Sequence, residues 1–342
     1  MPRLRRFLSR LSSIGLGAIS IILTTWPMTT AFAQPPTPAS SEEAGKSDGQ
    51  ATTTVSPLTV VAPTHEPAKL AEMISRFVEA HGVPGRIDQL SRWGAPLCPK
   101  TEGLSDPFNR YVSVRLSQVA AFVKAPVDKH PNRNFPCKTN VLVVFTTKPQ
   151  ELMDDVRKHH PNMLGFHYAA QTERLARFIR PMQAWYITGT KNSEGPLVLD
   201  TEFDRLPGGQ AGSRLTAHLQ NQIIGALVVI DARQIVGRQI GGVADNVAML
   251  VLSHTQQSDR CSDLPTILDF MVAECQANVD VEQLTDYDVA YLKALYAVDP
   301  EEYLHAQRSE IATRVMKELK STPATYDEAR PPQPRNTEPA HP

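Results

Sequence analysis

The chain has 342 residues, with 35 Lys+Arg against 36 Asp+Glu and four cysteines. So even a charge balance, without a basic run, argues against nucleic acid or anionic lipid as the main partner. Once the termini are set aside, about 250 residues remain by count from the sequence, enough for one large domain or two closely packed lobes.

Residues 1–33 carry the three parts of a secretory signal: Arg3, Arg5, Arg6 and Arg10, an apolar stretch from Ile14 to Leu23, and Ala31-Phe32-Ala33 before Gln34. This order predicts cleavage after Ala33 and a periplasmic or extracellular protein that meets the membrane only through the signal. The apolar stretch is too short for a span and is followed by Trp26-Pro27. Removing the four arginines leaves 31 basic against 36 acidic residues, a net charge of −5.

Residues 34–67 are rich in Pro, Ser, Thr and Ala, a composition that cannot bury enough apolar surface to fold, and they read as a disordered tether. Within it Leu58-Thr-Val-Val-Ala-Pro63 looks somewhat like the motif with which outer-membrane receptors engage TonB. No barrel-length sequence follows, so a loose strand that pairs with a sheet edge is the preferred reading. Residues 321–342 hold six prolines and are expected to be a disordered tail.

Residues 68–190 read as an N-terminal α+β lobe. Leu70, Ile74, Phe77 and Val78 recur at helical spacing before His81-Gly82. A second helix is expected from Asp106-Pro107, with Asp as cap and Val112, Leu116, Val119, Ala120 and Val123 inward. Asn140 to Thr147 has the β-branched content of a buried strand, and Pro149 to His159 suits a helix. His159, His160 and His167 are the densest histidine cluster. They are candidate metal ligands, but Pro161, Asn162 and Gly165 favour a surface loop over a rigid ligand platform. Tyr168 to Ile179 reads as helix and Met182 to Thr188 as strand.

Residues 191–320 form the second lobe. Leu206 to Gly212 has three glycines in neither a phosphate-binding nor a dinucleotide pattern, which leaves a hairpin or surface loop. Strands are expected at Arg214 to Leu219 and Ile223 to Asp231. A central helix from about Val236 to Ser253 buries Ile240, Val243, Ala244, Val247, Leu250 and Val251 and shows Gln239, Asp245 and Asn246 on a polar face. Zincin-class metallopeptidases need His at i and i+4 with Glu at i+1, whereas Gly242 to Ala248 holds no histidine. His254, alone at the helix end, is a further candidate metal ligand, and with Asp245 nine residues away, too far along a helix to share a metal, it would need ligands from elsewhere. Further on, Thr285-x-x-Asp288 is a capping-box variant before the stripe Tyr287, Tyr291, Ala294, Leu295 and Val298, and Ile311, Val315 and Leu319 form another stripe.

Four cysteines in an exported chain imply two bridges, for which three pairings exist. Pairing within each half, Cys98–Cys137 and Cys261–Cys275, is favoured over a metal site, since no Cys-x-x-Cys element occurs.

Arg92-Trp93 with Leu97-Cys98-Pro99, Ala184-Trp-Tyr186, Val229-Ile-Asp-Ala232, Val243-Ala-Asp245, Leu264-Pro-Thr-Ile-Leu268 and Leu284-Thr-x-x-Asp-x-Ala-Tyr-Leu-x-Ala-Leu-Tyr296 resemble landmarks of exported proteins of Gram-negative bacteria with no assigned activity. The second half also resembles zincin-like proteins that lack the HExxH motif. The order of elements points to an α+β fold, one large or two-lobed domain with small mixed sheets and packed helices, and the second resemblance implies that the second lobe is zincin-like. The resemblances carry over no catalytic residue, and no cofactor is expected. The leading expectation is a non-catalytic envelope protein that binds an envelope partner or ligand in a groove beside the central helix. The alternatives are a metallopeptidase-like hydrolase with an atypical metal site and an adaptor that works through its Pro-rich tails.

Overall fold

The computed structural model describes residues 66–128, 137–165, 167–192, 195–200, 217–255, 260–272, 274–275 and 281–321. The segments read as a signal, as a tether with Leu58 to Pro63 and as a tail beyond Ser321, and the Leu206 to Gly212 run, lie outside these residues.

The elements follow from apolar periodicity. Helix α1 (Pro67–His81) buries Met73, Ile74, Phe77 and Val78 and ends where the Gly82 N–H meets Val78 O. Short strands β1 (Arg92–Trp93) and β2 (Pro99–Glu102) lead to helix α2 (Asp106–Phe122). The cap of α2 is Ser105, one residue earlier than expected, and Asp106 instead lies in the first turn, where the helix dipole favours its charge. Strand β3 (Val141–Thr146) and helix α3 (Pro149–His159) come next.

The helix expected over residues 168–179 is reduced to a 3₁₀ turn (Ala169–Gln171) and one turn, α4 (Thr172–Leu175). Neither turn buries a residue, so no apolar face sustains the helix. Side chains take its backbone groups instead. Phe178 N–H donates to Gln150, Ile179 N–H to Gln183, and Trp185 Nε1 donates to Leu175 O at 2.8 Å.

Strands β4 (Met182–Asn192), β5 (Val198–Leu199) and β6 (Leu219–Asp231) complete a mixed sheet of order β2-β3-β6-β4-β5. Strand β6 runs continuously through the position where two strands were expected; residues 214–216 lie outside the described set. Strands β2 and β3 are parallel to each other and β3 to β6, while β4 runs antiparallel along the whole of β6. Strand β1 pairs with the start of β6 at Gln222 and Ile223, end to end with β3. The 190/191 boundary expected from the sequence falls inside β4, and β6 from the second half pairs with strands from the first. The described residues fall in one compact unit that begins at Val61.

Both faces of the sheet are covered. Val141, Val143, Phe145, Ala226, Val228 and Ile230 join the large core made with α1, α2, helix α5 (Ile240–Leu252), helix α6 (Asp286–Ala297) and helix α7 (Leu304–Lys320). Leu142, Val144, Leu227 and Val229 are buried outside that core, on the side where α3 and the 3₁₀ turn Pro161–Leu164 meet β4 and β6. Double coverage is why β3 and the end of β6 read as continuous apolar runs.

Helix α5 is buried from Gly241 to Leu252. The polar face expected for Asp245 and Asn246 is therefore not a surface. Asp245 accepts from Arg115 Nε at 2.6 Å and from Leu284 N–H at 3.2 Å, and Asn246 donates to Ile267 O at 2.7 Å. The α6 capping box forms as expected. Asp288 there also accepts from Thr266 Oγ1 at 2.5 Å and Ile267 N–H at 2.9 Å, which ties the 261–275 turn to α6. Cys98 is bonded to Cys137 and Cys261 to Cys275, the pairs favoured from the sequence. Among the described residues, no helix is long and apolar enough to cross a membrane.

Candidate functional site

The last four carbonyls of a helix have no partner within it, and at a buried end other groups must meet them. At the end of α5, Met249 O accepts from Ser253 Oγ at 2.6 Å, Leu250 O from Tyr186 OH at 2.7 Å, Val251 O from Trp93 Nε1 at 2.7 Å and Leu252 O from Tyr296 OH at 2.8 Å. These donors come from β4, β1, α6 and the helix's own exit. They fix where the chain leaves α5, and His254 is the second residue beyond it.

His254 is half-buried, and its ring meets the Tyr186 ring edge to face with centroids 4.7 Å apart. Its Nδ1 lies 3.1 Å from Ser91 Oγ, just before β1. Ser91 Oγ contacts Asn221 Oδ1 on β6, and Asn221 Nδ2 is 2.9 Å from Asp200 Oδ2, after β5. Asp200 also accepts from Thr188 Oγ1 at 2.5 Å and Thr190 Oγ1 at 2.9 Å, both on β4. Ser91, Asn221, Asp200, Thr188 and Thr190 are all buried. Gly85 lies directly over the chain of contacts: a Cβ there would sit 2.3 Å from Asn221 Oδ1 and 2.8 Å from Ser91 Oγ.

The chemistry of each group fixes the direction of this relay. A carboxylate only accepts, so Thr188, Thr190 and the Asn221 amide all donate to Asp200. Asn221 must then turn its oxygen toward Ser91, and that oxygen requires the Ser91 proton. With its only proton committed, Ser91 Oγ accepts from His254, so Nδ1 carries the hydrogen and Nε2 keeps a lone pair. Among the described residues nothing hydrogen-bonds to Nε2. Burial pushes His254 down to about 4, against the opposing pull of the Asp200 charge, so the ring is neutral at physiological pH. The backbone of the next residue, Thr255, lies against the Tyr186 hydroxyl and opposes the rise that burial gives it, while its own Oγ1 is buried with no partner among the described residues.

The residues singled out from the sequence are dispersed. Asp245 and His254 belong to separate networks. His159 sits at the exposed end of α3 against Asp155 at 2.8 Å, with the His160 ring 6.5 Å from its own, and His167 Nδ1 contacts Gly165 O at 2.7 Å. Among the described residues, no three His, Cys, Asp or Glu side chains are grouped so as to hold a metal ion. Ser91, Asn221 and Asp200 escaped sequence reading because they are 130 and 21 residues apart along the chain and match no spacing motif. His254 was legible only as a lone histidine at a helix end. No family model, curated protein or solved structure matches this chain.

Proposed function

We propose that this is an exported cell-envelope protein that binds a ligand or partner at the surface around His254 and does not transform it. The observation that carries the reading is the direction of the relay. A serine nucleophile must give its proton to the histidine beside it, but Ser91 gives its proton to Asn221. Ser91 is also almost fully buried, at 2% exposure, beneath Gly85. What the relay supplies is an oriented, neutral imidazole with a free acceptor, which is a recognition element. The secretory-type N-terminus, the two disulfides and the resemblance of residues 92–319 to exported Gram-negative proteins support the envelope assignment. The zincin-like likeness of the second half enters the proposal only as a likeness of scaffold.

The test is to purify the mature protein, residues 34–342, natively from a periplasm, denature it, and analyse the released small molecules by mass spectrometry. A compound released by the wild type and missing from His254→Gln supports binding. Turnover of ester or amide substrates by the wild type, lost in His254→Gln, would replace this reading with the hydrolase alternative.

A further inference from the structure

We propose that His254 anchors a binding site for a protonated amine, whose N–H donates to Nε2. The inference rests on the ligand-binding reading above and names the chemical class of the ligand.

Three observations carry it. The first is the buried charge: Asp200 is 1% exposed and, among the described residues, has no ion-pair partner. Three neutral donors hold its carboxylate, and a lone buried carboxylate gains from a cation brought near it. The second is alignment. The Asn221 N–H, Ser91 O–H and His254 N–H all point toward Asp200, so their dipoles add and the negative end of the row emerges at Nε2. A cationic donor is favoured there over a neutral one, and an anion is disfavoured. The third is unmet polarity at one place. His254 meets the Tyr186 ring, and its chain neighbour Thr255 adds a buried hydroxyl with no partner among the described residues. An unsatisfied buried hydroxyl in a folded protein calls for a water or a ligand. A metal cation fits less well, since protein metal sites draw on three or more ligands and, among the described residues, no three His, Cys, Asp or Glu side chains are grouped to hold one.

The experiment is ¹⁵N NMR on the mature protein with labelled histidine at pH 7. The free protein should show His254 with Nδ1 protonated and Nε2 unprotonated. Propylammonium should shift the Nε2 signal saturably, whereas propionate and N-propylacetamide should not. Asp200→Asn, which keeps the shape and removes the charge, should weaken propylammonium at least tenfold; Lys148→Gln, at an exposed site, should leave it unchanged. An Nε2–H tautomer in the free protein overturns the relay and the inference together. If propionate, the neutral amide or Zn²⁺ shifts Nε2 and propylammonium does not, the amine class is overturned while ligand binding at His254 stands. If Nε2 responds to none of them, the inference falls, and the released-ligand assay decides the broader reading on its own.

Discussion

Arg115 and Asp245 show what a single buried charge demands of its surroundings. Their side chains are 1% and 0% exposed and meet through Nε–Oδ1 at 2.6 Å and Nη2–Oδ2 at 3.2 Å, joining α2 to α5. Arg115→Met should destabilise the fold by about 3–5 kcal/mol, because it takes from the buried Asp245 the guanidinium that compensates it. The double variant Arg115→Met with Asp245→Leu should recover most of that loss in urea denaturation, since it removes the desolvation cost of both groups. Sequence reading found Asp245 as a polar residue on an apolar helix and placed it on a surface. The error has a physical cause. Helical periodicity reports which residues share a face, but the partner that lets a carboxylate stay inside lies 130 positions away. Val112, Leu116 and Val119 were legible because an apolar side chain needs only an interior and no particular partner.

At the level of elements, the short motifs that suggested a family resemblance have a shared structural role. Trp93, Tyr186 and Tyr296 meet three of the four last carbonyls of α5, Asp245 pairs with Arg115, and Thr266 binds Asp288. They hold one buried helix in place and fasten the turn beneath it, whatever the protein binds. Tyr186→Phe should cost about 1–3 kcal/mol by leaving Leu250 O buried without its donor. It should also broaden the His254 NMR signals, as the edge-to-face contact between the two rings loosens. The two disulfides act on loops of different length, with sequence separations of 39 and 14. Replacing both cysteines of Cys98–Cys137 by serine should cost about 4 kcal/mol in the chain-entropy account, against about 3 kcal/mol for Cys261–Cys275. Urea midpoints of the two double variants would show the order. The long strands and amphipathic helices could be read from pattern alone. The segment 168–179 could not, because its backbone is held by Gln150, Gln183 and Trp185, whose roles appear only when the sheet is assembled.

For the molecule as a whole, acid and base act in opposition. Burial holds His254 down at about 4, below an unfolded value near 6.5, so the unfolded chain binds the extra proton between those limits. Its contribution to stability is therefore lost as pH falls from about 6.5 toward 4. Burial also lowers His81, in the same direction. Asp288 is raised to about 6 by burial, opposed by hydrogen bonds from Thr266, Thr285 and Ile267. Its folded form takes up the proton first, so this contribution is lost as pH rises from about 4 to 6. Across that window His254→Gln should make the slope of stability against pH more negative than in the wild type, and Asp288→Asn more positive, read from urea midpoints at half-unit steps.

The position of β6 has a consequence for how the chain comes into being. Strands β3 and β4 are made first and do not touch each other; both pair with β6, which starts at Leu219. Until that residue has been made, each of the two earlier strands keeps an open hydrogen-bonding edge. By this topology the sheet can close only once this 13-residue strand is present to lie between them. A chain stalled or truncated before residue 219 would thus be a source of sticky strand edges rather than a smaller folded domain, and quality control in the compartment where it folds would have to recognise it as such.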